Sequence, residues 1–227
     1  AVLNEPQRVD IRALLADALV KAGRTDEAVA ELRRAWEIDG HDPSWLVSVA
    51  RIRAREAKFN DASKAIDDAI ASRDKTPVSR VFEYAGLLAE WGLLDKSVSM
   101  YERGIDMALK APEDSDLDQG RFRNYLNVAM RVRKPADVFT RIETYRRSFE
   151  SLASTPNNFA AASARSAAGM IGESERDDFG RLAAEFAIGP DRQALEGVVR
   201  TAAGGTADRD RRRTLLALAT AAGLADA

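Results

Sequence analysis

The sequence predicts an all-α chain of helical hairpins stacked side by side, a solenoid without a central core. Three observations carry that reading. First, Ala22 to Asp39, AGRTDEAVAELRRAWEID, returns about 34 residues later as AKFNDASKAIDDAIASRD, Ala57 to Asp74, and more loosely as WGLLDKSVSMYERGIDMA, Trp91 to Ala108. Second, apolar residues inside and outside these copies recur at i, i+3, i+4 and i+7, the helical spacing. Third, helix starts farther along the chain recur at about half that period. Self-similarity of this length marks repeats that bury their apolar faces mainly against their neighbours, and about six hairpins, or twelve helices, fill 227 residues.

Taken in order, Ile11, Leu14, Leu15, Ala18 and Ala22 draw one apolar stripe along a helix beginning near Asp10 and ended by Gly23. Thr25 then caps a second helix, with Asp26 and Glu27 in its electropositive first turn and Ala28, Leu32, Ala35 and Trp36 on its buried face. Asp42 and Pro43 supply a cap and a pre-organised first residue, so the next hairpin starts where the period requires. Val49, Ala50 and Ile52 form its apolar part, and Ala62, Ile66 and Ala69 repeat Ala28, Leu32 and Ala35. Thr76 and Pro77 cap a third hairpin. In it Phe82, Ala85, Leu88 and Ala89 face inward, Gly92 turns the chain, and Ser97, Tyr101 and Gly104 take the small, large, small places.

That spacing on the second helix, after a leucine and small-residue pair on the first, resembles the tetratricopeptide repeat. Leu15, Ala16, Leu19, Ala28, Leu32 and Ala35 match the signature in the first copy, and Val49, Ala50, Ala62, Ile66 and Ala69 in the second. Tyr84, Ala85, Leu88, Ser97, Tyr101 and Gly104 match it in the third, while Gly40 and Asp74 replace the proline that commonly closes a repeat. The resemblance covers residues 9–112. It implies a right-handed α-α superhelix that acts as a non-catalytic protein–protein interaction scaffold, binding a peptide or partner domain, with no cofactor. Members that clamp a peptide's terminal carboxylate use lysine and asparagine on the first helix. The matching places here are Ala13 and Asp17, and an aspartate repels such a ligand, so chaperone-tail binding is not implied.

Beyond Ala111 the signature decays through an acidic loop, residues 113–118. Phe122, Tyr125, Leu126 and Ala129 stripe the first helix of a divergent fourth hairpin, and Pro135 opens a second helix that buries Val138, Phe139, Ile142, Tyr145 and Phe149. Pro156 breaks the chain. Helix starts near 157, 174, 191 and 207 follow, with Phe179, Leu182, Ala183 and Phe186, then Leu195, Val198, Val199 and Ala202, at amphipathic spacing, and with Gly189, Gly204 and Gly205 as turns. The chain thus reads as three repeats in 1–112, the loop and fourth hairpin in 113–155, and alanine-rich hairpins in 156–227 that continue or cap the solenoid.

A net charge of -2 with 31% charged residues excludes an overall polycation. The absence of cysteine excludes disulfides, thiolate metal sites and cysteine nucleophiles. His41, the single histidine, lies in a turn, so neither a catalytic relay nor a histidine metal site can be assembled, and no enzyme activity or metal is expected. The longest apolar run, Leu215 to Leu224, is too short and alanine-rich to span a bilayer. A chain that opens at Ala1 reads as a piece of a larger protein or complex, and it leaves the compartment open.

Stacked hairpins expose their first helices as rows across a concave groove. One row is Asp17, Arg51 and Gly86, the next is Lys21, Arg55 and Glu90, and Arg123, Asn127 and Arg131 lie one turn apart in the fourth hairpin. These residues form a candidate partner-binding groove. Alternatively, Asp17 pairs with Arg51, and Arg55 with Glu90, as surface salt bridges worth about 0–1 kcal/mol each. The stretch Arg121 to Arg147 carries eight basic and two acidic residues with interleaved aromatics. Those aromatics either stack bases, which would make a nucleic-acid or other anionic partner the second reading, or form the core of their helices. Arg209 to Arg213, RDRRR, reads as a solvated helix start.

Overall fold

The computed structural model describes residues 8–72, 76–114, 116–154 and 159–224. Asp74, Pro156 and Asn157, named above as a repeat end and a chain break, lie outside these residues. All regular structure among the described residues is helical. The chain divides into two compact units at Pro77 and Val78.

Unit 1 holds α1 (Val9–Lys21), α2 (Thr25–Ile38), α3 (Pro43–Arg55) and α4 (Phe59–Ala71). The α1/α2 and α3/α4 pairs are the two hairpins, and α2 packs on α3. The three-residue turns between paired helices put Gly23 at φ 75° and Ala57 at φ 58°. The left-handed conformation favours glycine, and the second copy supplies it with an alanine at a cost of about 1 kcal/mol. Asp42 accepts a hydrogen bond from the Ser44 amide at 2.8 Å with Pro43 as first residue, so α3 starts as the sequence predicts. Thr25 does not cap α2. It lies inside the helix, after Arg24, and its hydroxyl donates to Glu56 Oε1 at 2.6 Å.

The inner face of α1 also differs from expectation. Ala16 and Leu19 are buried together with Arg12, which reaches Glu31 Oε2 of α2 at 2.6 Å, while Ile11 and Leu15 are half-buried and Leu14 is 71% exposed. Ala18 and Ala22 are exposed as well. Small Ala16 lets α2 approach closely on the flank beside the predicted stripe. The matching places on α3, Val49 and Ile52, are buried because α3 has α2 on one side and α4 on the other.

Unit 2 begins with the hairpin of α5 (Val78–Glu90) and α6 (Leu94–Lys110), followed by a 3-10 turn, Pro112–Asp114. Then come α7 (Gln119–Val132), α8 (Pro135–Ala153), α9 (Phe159–Ser174), a π-helical turn Glu175–Phe179, α10 (Gly180–Phe186), α11 (Pro190–Gly204) and α12 (Arg209–Ala221). α6 packs on α7, α8 packs most closely on α9 and next on α11, and α12 covers the π turn, α10 and α11. The expected helix start near 174 is not a break. Ser174 and Gly180 keep helical dihedrals on either side of the π turn, so α9 and α10 form one run. No proline interrupts it, and the wider turn absorbs an extra residue without ending the ladder. The later starts, Pro190 and Arg209, fall close to the predicted ones.

The α1 register yields a test. Leu14→Ser is expected to change stability by no more than about 0.5 kcal/mol. Leu19→Ala, in contrast, is expected to cost about 2–3 kcal/mol by leaving a cavity. Denaturant unfolding of the two variants measures both, and the reverse ranking would return the predicted stripe to the inside.

Candidate functional site

In unit 1 the candidate residues occupy the first helices of the two hairpins. Asp17 and Lys21 pair with each other across one turn of α1 at 2.6 Å, both exposed, so Asp17 is satisfied without Arg51. Arg51 and Arg55 lie exposed one turn apart near the end of α3, and Arg55 makes no ion pair among the described residues. Between them in sequence, Arg53 turns inward. Its Nη1 meets Asp26 Oδ1 of α2 at 2.6 Å and Glu56 Oε2 at 2.8 Å.

Glu56 is the centre of that tie. Besides Arg53 it accepts from the Thr25 hydroxyl and from Lys58 at 3.3 Å. The Thr25 hydrogen bond first, then that from Arg53, hold its carboxyl down to about 2. The link joins the start of α2 to the end of α3, across the turn side of the two hairpins. Neither Arg53 nor Glu56 stands out in the sequence, because repeat periodicity marks small and apolar places and leaves polar ones unmarked.

In unit 2 Glu90 is exposed at the end of α5, Asn127 is half-buried on α7, and Arg131 is exposed with no ion pair among the described residues. Arg123 is engaged with Asp178 Oδ1 of the π turn at 2.9 Å. The rest of the basic stretch is similarly occupied. Arg121 donates to the Asp116 carbonyl, Arg133 meets Asp95 at 3.5 Å, Lys134 meets Asp191 at 3.2 Å and Arg141 meets Glu102 at 3.3 Å. Phe122, Tyr125, Phe139, Tyr145 and Phe149 are all buried, so their helical spacing marks core and none presents a face on which a base could stack.

The second basic knot contains the least expected arrangement. Arg209, Arg212 and Arg213 are exposed, in keeping with a solvated helix start, but Arg211 turns inward. Its Nη1 and Nη2 reach the two oxygens of Glu175 at 2.6 and 3.1 Å, and Nη2 also meets Glu143 of α8. The other Glu143 oxygen accepts from Arg146 at 3.1 Å and Arg147 at 3.2 Å. Burial pushes the Glu175 carboxyl up to about 8 and the Arg211 guanidinium down to about 10. The charges are arranged as a tie between α8, the π turn and α12. Among the described residues no group of carboxylates and histidine could hold a metal ion, and no helix is long and apolar enough to cross a membrane.

Two outcomes follow from these ties. A carboxyl whose folded pKa lies below its unfolded value stabilises the fold above that unfolded value, near 4.5 for Glu56, and the contribution is lost as pH falls through about 2. The stability difference between wild type and Glu56→Gln is therefore expected to shrink steadily as unfolding is measured from neutral pH down to about 2. In unit 2, Arg211→Met leaves the buried Glu175 without its guanidinium, while Glu143 keeps Arg146 and Arg147, and is expected to cost about 3–5 kcal/mol. A thermal melt of the full chain checks it, with Arg213→Met, at an exposed neighbour, expected to be close to neutral.

Comparison with known proteins adds one finding for part of the chain, a match of residues 1–52 to the tetratricopeptide repeat. No curated protein matches the chain. Repeats of this kind generally mediate protein–protein interactions. The matched segment spans α1, α2 and most of α3, so the hairpin that opens this chain is similar to a tetratricopeptide repeat.

Proposed function

We propose that the chain is a non-catalytic scaffold that recognises a protein segment through polar side chains on the first helices of its hairpins. In unit 1 these are Asp17, Lys21, Arg51 and Arg55, and in unit 2 Glu90, Arg123, Asn127 and Arg131. The observation that carries the reading is the contrast among the arginines. Most are tied to carboxylates of their own unit, whereas Arg55 on α3 and Arg131 on α7 stand exposed with no ion pair among the described residues. An exposed charge without an internal partner loses nothing by meeting an external one, and it sets specificity and association rate more than raw affinity.

The second reading, an anionic partner on Arg121 to Arg147, has less support. Its aromatics are buried and most of its cations are paired within unit 2. The variant Arg55→Glu is expected to retain the wild-type melting temperature and to lose roughly tenfold in affinity for the bound protein. Quantitative pull-downs from the source extract, followed by titration of the recovered partner, measure this. Equal recovery by the variant would remove the first-helix site. Micromolar, salt-sensitive binding of labelled nucleic acid would instead support the second reading.

A further inference from the structure

A cavity of about 470 Å³ opens in unit 1 between the later turns of α2 and α4. Arg33 and Trp36 of α2, His41 of the following loop, Leu46 of α3 and Asp68 of α4 line it. Here the second helices form the walls, so this is a different surface from the first-helix residues discussed above.

Three of its polar groups have no internal partner. The Trp36 indole Nε1 is buried and finds no acceptor. Asp68 is half-buried and Arg33 exposed, and neither makes an ion pair among the described residues. A buried donor left without an acceptor costs about 1–3 kcal/mol, so the indole N–H is a standing demand for an oxygen. The walls around it are set. Leu46 is fully buried behind them, and the His41 ring, carried by a left-handed backbone at φ 66°, stands edge-on to Trp36 with ring centroids 4.3 Å apart.

These groups select among ligands. A simple anion would satisfy Trp36 and Arg33 but would meet the Asp68 carboxylate. A wholly apolar group would leave the indole N–H and Asp68 unanswered. A cation on a flexible stem answers Asp68 and gains from the indole face. If that cation belongs to a peptide, a small shift of the lining that uncovers Trp36 Nε1 lets the adjoining carbonyl accept from it, and Arg33, also in the lining, suits an acidic neighbour.

We propose that the cavity takes an arginine or lysine side chain of an extended peptide, with an acidic residue beside it in the peptide. The proposal rests on the scaffold reading and adds a second contact on the α2/α4 side of unit 1.

The probe is the blocked peptide acetyl-Gly-Arg-Glu-Gly-amide, titrated to millimolar concentration into the ¹⁵N-labelled full chain. The readout is the indole N–H resonances of the three tryptophans, Trp36, Trp45 and Trp91, with Trp36→Phe assigning the first. The Trp36 signal is expected to move saturably while the other two stay still. Replacing arginine by glutamine in the probe, or Asp68→Asn in the protein, is expected to weaken binding roughly five- to tenfold, and Arg33→Gln about twofold. No saturable shift, an equal response to the glutamine probe, or indifference to Asp68→Asn would each overturn the proposal. The variant Arg55→Glu is expected to leave this titration unchanged, which separates failure of the cavity from failure of the first-helix site.

Discussion

Everything in this chain depends on how closely the two helices of a hairpin can approach. The contact is made by small residues at fixed places: Ala16, Ala28 and Ala35 in the first hairpin, Ala50, Ala62 and Ala69 in the second, and Ala85, Ser97 and Gly104 in the third. All are buried. The third hairpin shows how narrow the allowance is. A Cβ on Gly104 would lie 2.8 Å from the Phe82 ring, and the Ser97 hydroxyl is tolerated because it donates to the Ala85 carbonyl at 2.7 Å. Close approach brings the large residues of one helix over the small ones of the other, and the short turns with their left-handed residues are what that spacing leaves room for.

Unit 2 keeps this arrangement for its first hairpin and then departs from it. Aromatic contacts take over, with Tyr101, Tyr125 and Tyr145 in sequence at centroid distances of 6.4 Å and Phe139 meeting Phe179 at 6.1 Å. The polar tie of Glu143, Glu175 and Arg211 lies in the same unit. The π turn makes that tie possible. It brings Glu175, Asp178 and Phe179 to the inside together, so one segment contributes a core ring and two carboxylates. Desolvation makes such a cluster costly, and its return is specificity: Arg211 finds both partners only when α12 lies in one register against α8 and the π turn. Gly180 narrows the choice further, since a Cβ there would sit 2.7 Å from the Ala221 Cβ.

The first three hairpins, their turn places and most of the core were legible in the sequence because small and large apolar residues recur at a fixed interval; the expected fourth hairpin was not, since α8 pairs with α9 rather than with α7. Ala28, Leu32 and Ala35 and their counterparts Ala62, Ile66 and Ala69 are buried as read, and so is the whole aromatic set of α7 and α8. The α1 stripe was misread for a physical reason. An amphipathic pattern reports which face of a helix is apolar, whereas burial reports which face has a neighbour, and α1 packs chiefly on α2 along an adjacent flank. The continuous α9 to α10 run escaped notice because a π turn carries no breaker residue. Buried charges were the least legible. Arg211 sits in a run of arginines that otherwise faces solvent, and only its place one helical turn before Leu215, which is buried, hints that it points inward.

Charge content, then, says little about what this chain recognises, and the distribution of partners says more. Arg53 and Arg211 look like surface cations in the sequence and are structural ties in the fold. Arg123, Arg133 and Arg141 form a basic stretch in the sequence and are largely neutralised in space. Removing the tied residues would weaken binding and folding together, so a loss of partner at those positions carries no information about recognition. The polar groups that can be changed at little cost to the fold are those without an internal partner, among them Arg55 on α3, Arg131 on α7, and Asp68 and Arg33 at the α2/α4 cavity. Arg55 and the α2/α4 cavity lie on different helices of unit 1, and substitutions at either leave untouched the small residues that close the hairpins.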